Sequence, residues 1–110
     1  MSNFQHQQLS QGHWQDFTLI EQLANIGSEI GRTINWQTNK YGNPQDSFFR
    51  ALELLDLTIA DPKNNNRLKE ICRVREALVD WFTGSNQYKT TSESWDRYFY
   101  QFLYASRVNK

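Results

Sequence analysis

From Phe17 onward the apolar residues fall at three-and-four spacing: Phe17, Ile20, Leu23, Ala24, Gly27, Ile30, Gly31 and Ile34. That period marks one side of an α-helix, so a first helix of about twenty residues is predicted. The run Asn39-Lys40-Tyr41-Gly42-Asn43-Pro44 breaks the period, and Asn43 before Pro44 reads as a cap followed by proline at the first helical position. A second helix starts there, with Phe48, Ala51, Leu52, Leu55 and Ile59 as its stripe. Phe49, Leu54 and Leu57 spread apolar surface around the rest of its circumference, so this helix is expected to be buried on several sides or shared with another chain.

Asp61-Pro62 offers another cap, and the polar residues after it fit either a loop or a first helical turn. From Leu68 onward Ile71, Cys72, Arg75, Leu78, Val79 and Phe82 share a face, and Gly84 reads as a left-handed stop. Residues 85–91 are turn-like, and Thr91 or Ser92 can cap a last helix lined by Trp95, Tyr98, Phe99, Phe102 and Ser106. No sustained apolar/polar alternation and no long repeat occurs. The expectation is all-α: a single-domain, antiparallel four-helix bundle over residues 15–110. Residues 1–14 are rich in Gln and Ser, with Phe4, Leu9 and Trp14 in no helical period, and are expected to form a disordered tail.

Composition narrows the function classes. The 110 residues fit one domain, and 4 Trp, 5 Tyr and 7 Phe supply a core. Lys plus Arg total 12 and Asp plus Glu total 12, so no net field draws the chain to nucleic acid or to an anionic membrane. The balance is uneven: residues 1–62 carry three basic and seven acidic side chains, residues 63–110 nine basic and five acidic. Complementary charge between neighbouring helices accounts for that, and a basic docking face on the second half is the sharper alternative. A single cysteine excludes an internal disulfide. No apolar run nears the ~20 residues of a membrane helix, and no secretory start is present, so a cytoplasmic location is expected.

Three groups of residues merit attention. Ala24, Gly27 and Gly31 stack small residues along the first helix, a strip that suits close approach of another helix. Arg75 falls within the predicted core stripe of the third helix and needs an anion there. Asp56 is its nearest candidate by pattern, as a register-fixing ion pair or as part of an anion clamp, and snorkelling of the guanidinium to solvent is the remaining alternative. On the last helix Arg97, Tyr100, Tyr104 and Arg107 point away from the predicted core, a composition suited to contact surfaces. Leu57 adds apolar surface on the second helix.

Catalytic constellations are poor. His6 and His13 both lie in the predicted tail, and Cys72 is expected to be an inert core thiol. The sequence has no Glu-x-x-His pair, no paired cysteines, no acidic calcium loop and no phosphate-binding glycine loop, so no metal and no cofactor are expected. Glu53, Asp56, Glu70, Glu76 and Asp80 read as a solvated acidic face.

The stretch from Leu23 to Tyr104, about three quarters of the chain, contains LANIGSEIGRTINW, RALELLDLTIADPKN and RLKEICRVREALVDWF. It resembles a widespread family of small prokaryotic all-helical proteins, which implies a compact helical domain and names no site. Its architecture is also similar to the HEPN-like helical bundles that accompany minimal nucleotidyltransferases. RNA-cleaving members of that group carry an arginine followed closely by a histidine, and this chain has no histidine after His13. The likeness therefore implies a non-cleaving partner.

The leading expectation is a non-enzymatic protein-interaction module, homodimeric or bound to another protein through the Arg/Tyr face of the last helix or the apolar second helix. The competing expectation is a small-molecule or nucleotide-binding regulator built on Arg75, Asp56 and an aromatic wall from Trp81 or Trp95.

Overall fold

The computed structural model describes residues 13–108. Among them lie four α-helices, α1 (Leu19–Asn39), α2 (Pro44–Ala60), α3 (Leu68–Thr83) and α4 (Ser92–Val108), with a 3-10 turn at Trp14–Asp16 and a 3-10 segment at Pro62–Arg67. Three helices begin where a side chain accepts from a free amide of the first turn. Thr18 accepts from the Glu21 amide at 3.1 Å while the Glu21 carboxylate accepts from the Thr18 amide at 2.9 Å. Asn43 accepts from the Gln45 amide at 3.1 Å, with Pro44 behind it. Thr91 and Ser94 exchange a reciprocal pair of bonds at 3.1 and 2.9 Å. Each such cap contributes about 1 kcal/mol and fixes a boundary.

The helices run alternately up and down, as their partner residues show. Thr33 meets Ser47, and Glu29 pairs with Arg50, between α1 and α2. Phe48 stacks on Phe82, with ring centroids 4.1 Å apart, while Asp56 meets Arg75, between α2 and α3. Tyr98 reaches back to Glu70 between α4 and α3. Leu23, Ile26, Ile30, Phe48, Leu55, Leu78 and Phe99 form the sealed centre. The seams are unequal: α1 lies closest to α2 and α4, whereas the backbones of α3 and α4 stand farther apart.

One end of the bundle is closed by a polar network inside the core. Trp14 donates its indole N–H to the Thr58 hydroxyl at 3.0 Å, and Thr58 in turn donates to the Leu54 carbonyl. The Gln22 amide donates to the Trp14 carbonyl and to Asp61, both at 3.0 Å, and accepts from Asn64 at 2.9 Å. Trp14, Gln22, Thr58, Asp61 and Asn64 are all buried. Burial by itself would raise the Asp61 pKa, but hydrogen bonds from Lys63 and Gln22 outweigh it and hold the carboxyl below its ordinary value.

Several expectations need correction. Trp14, placed in the disordered tail, is a buried anchor, because its indole N–H finds an acceptor on α2. Residues 1–12 of that tail lie outside the described residues. At Gly27 a Cβ would sit 2.7 Å from that of Phe99, and Ala24 is buried one turn before it. At Gly31 a Cβ would meet nothing within 4 Å. Gly84 is not left-handed: its φ is −104°, and the positive angles fall instead on Asn86 and Lys89. Cys72 is exposed rather than buried.

Candidate functional site

Helix α3 buries Ile71, Val74, Ala77 and Leu78. Relative to the stripe expected from sequence it is turned by about a quarter of a revolution, since Val74 and Ala77 face the gap toward α4. The turn carries Arg75 to the edge of the core. Its guanidinium donates to Asp56 at 2.7 Å, but the two side chains are 36% and 58% exposed, so the pair is a surface ion pair and not a buried one. Arg75 also borders a shallow basic depression with Lys69, Cys72 and Arg73. Solvent screens such a pair, which leaves it a small share of stability.

The gap between α3 and α4 is a groove of about 430 Å³ with an almost wholly apolar lining. Val74 and Ala77 line it from α3, Trp95 and Tyr98 from α4, and Tyr88 and Thr90 from the connecting loop. That loop is rigidly held. Asp80 accepts from the amides of Gln87 and Tyr88, both at 2.9 Å, and Asn86 exchanges two bonds with Thr90. Thr90 then accepts the Trp95 indole N–H at 3.0 Å, which fixes the ring that walls the groove.

Charges at the rim are arranged unequally. Glu70 accepts from Arg67 at 2.6 Å and from the Tyr98 hydroxyl at 3.0 Å. The Arg67 bond outweighs partial burial and lowers the Glu70 pKa, whereas burial beside that carboxylate pushes the Tyr98 hydroxyl strongly upward. Tyr88 donates to Glu76 at 2.9 Å. Arg73, which lines the same rim, makes no side-chain hydrogen bond or ion pair among the described residues.

The outer face of α4 carries Arg97, Tyr100, Tyr104 and Arg107, all exposed. Tyr100 and Tyr104 are 62% and 57% exposed, with their rings stacked 6.3 Å apart. Glu93 lies on the same side of the helix, so Glu93, Arg97, Tyr100, Tyr104 and Arg107 form one stripe at three-and-four spacing. Leu57, expected on an interaction surface, is instead packed against the core. The second helix has little free apolar surface beyond Phe49, which is 54% exposed.

The groove residues Glu70, Arg73, Val74, Ala77, Tyr88 and Thr90 do not stand out in the sequence. One signal for them is present. Ile71, Val74, Ala77 and Leu78 also keep helical spacing, and that stripe needs no arginine in the core. Among the described residues no group of three or more His, Cys, Asp or Glu side chains could hold a metal ion, and no helix is long and apolar enough to cross a membrane. His13 is exposed, and His6 lies outside the described residues. Comparison with known families, with curated proteins and with solved structures yields no match.

Proposed function

We propose that the chain is a non-enzymatic interaction module that pairs with a second copy of itself through the outer face of α4. The observation that carries this reading is the stacked, exposed pair Tyr100 and Tyr104 inside the charged stripe of that helix. Tyrosine and arginine are the residue types that best combine apolar contact with polar bonds at interfaces.

The stripe is complementary to itself. When two α4 helices cross antiparallel about Tyr100, Glu93 of one copy comes opposite Arg107 of the other, twice over. Each Arg97 then falls beside the Tyr104 ring of the second copy, which suits a cation–π contact. One helix face supplies less than the ~1,200 Å² of a standard interface, so the pair is expected to exchange, half-dissociating at roughly 1–100 µM.

Light scattering across a concentration series measures this directly. The mass should rise from monomer to dimer over that range, and Tyr100→Ser with Tyr104→Ser should abolish the rise. Glu93→Arg should weaken pairing, and adding Arg107→Glu should restore it. A monomer at every concentration, or a dimer indifferent to these changes, would sink the reading.

A further inference from the structure

We propose that the groove between α3 and α4 binds a small planar aromatic acid, with Arg73 holding its carboxylate. This goes beyond self-association, which uses the opposite side of α4.

The shape sets the size of the occupant. The groove runs from Glu70 to Ala77, about 10 Å along α3 at 1.5 Å per residue. The Tyr98–Glu70 bond ties its two helices, and the Trp95–Thr90 bond ties α4 to the loop that lines it. Its volume of about 430 Å³ lies within the range of small-molecule sites, roughly 300–1,000 Å³.

The lining sets the chemistry. Trp95 and Tyr98 stand perpendicular, with ring centroids 6.0 Å apart, and offer a face and an edge to a flat ring. Ala77 is small where a leucine would fill the slot. Glu70 is already satisfied by Arg67 and Tyr98, so it has little to offer a cation. Arg73 alone among the charged lining residues lacks a bonded partner within the described chain, so an anion gains a charge-assisted bond without breaking an existing one.

The test uses the full chain with 2-naphthoate and its neutral counterpart 2-naphthamide, followed by calorimetry and by the chemical shift of the Trp95 indole N–H. The acid should bind the parent protein more tightly than the amide and move the Trp95 signal. Arg73→Gln should weaken the acid by about 10-fold or more and leave the amide unchanged. Ala77→Leu should block both compounds while retaining the parent's melting curve. Equal affinity for acid and amide, an unmoved Trp95 signal, or no binding at millimolar concentration would overturn the proposal. The first two readouts need only the parent protein, so they decide the matter even where Ala77→Leu fails to fold.

Discussion

Two tryptophans in this bundle make the same bond in opposite surroundings. Trp14 and Trp95 each donate an indole N–H to a threonine hydroxyl at 3.0 Å. The acceptor of Trp14 is Thr58, which lies on a helix, is fully buried and is tied to a network of buried amides and a carboxylate. The acceptor of Trp95 is Thr90, which sits on a loop beside an open groove. At the sealed end every member depends on the others, because water cannot replace a lost partner there. At the open seam the Trp95 ring also packs on Tyr98 and Phe99, but its threonine acceptor borders a groove that water can enter.

The largest expected effect lies at the sealed end. Trp14→Ala should lower stability by about 3–5 kcal/mol in urea unfolding, as truncation of a buried aromatic does. A loss under about 1 kcal/mol, the size of an ordinary surface change, would remove the distinction between the two regions.

Asp61→Ala should cost about 2 kcal/mol at neutral pH, because it strands the Gln22 amide in the core. The folded pKa of Asp61 is lower than its unfolded value, so the carboxylate's stabilisation is present above the ordinary 3.8 and is lost as pH falls through the lower folded value. Acid unfolding of the parent and the variant should therefore converge below that value. Curves that stay parallel into acid would show that Asp61 contributes no charge-dependent stability.

The sharpest comparison is between matched substitutions. Thr58→Val should cost about 1–3 kcal/mol by leaving a buried indole N–H without an acceptor, and Thr90→Val under about 1 kcal/mol because water can enter from the groove. Equal costs would mean that the seam is as dry as the sealed end. The smallest effect separates the two glycines of α1. Gly31→Ala should stabilise the bundle by up to about 1 kcal/mol, whereas Gly27→Ala should destabilise it by driving a methyl into Phe99.

How much of this was legible beforehand depended on the physics involved. The cap at Asn43-Pro44 and the four helical periods are local signals, and they place the helices to within a few residues. The face that α3 buries is not local. Two stripes fit its sequence, and only tertiary packing chooses between them, so Arg75 and Cys72 lie outward while Val74 and Ala77 lie inward. The anchoring of Trp14 was hidden for a similar reason. Its acceptor lies 44 residues away, and nothing in the period of residues 1–14 announces it. The exposure of Tyr100 and Tyr104 could be read early, because every apolar residue near them already had a place on the other side of α4.

The hydroxyls of Thr33 and Ser47 face each other 2.7 Å apart in the interior between α1 and α2. Thr33 also reaches the Glu29 carbonyl and Ser47 the Pro44 carbonyl. Three contacts thus share two protons. Either Thr33 donates to Glu29 and Ser47 to Thr33, or Ser47 donates to Pro44 and Thr33 to Ser47. The heavy atoms need not move between these arrangements, so the centre of a tightly packed seam retains a choice of proton order, and freezing the side chains there does not freeze every degree of freedom.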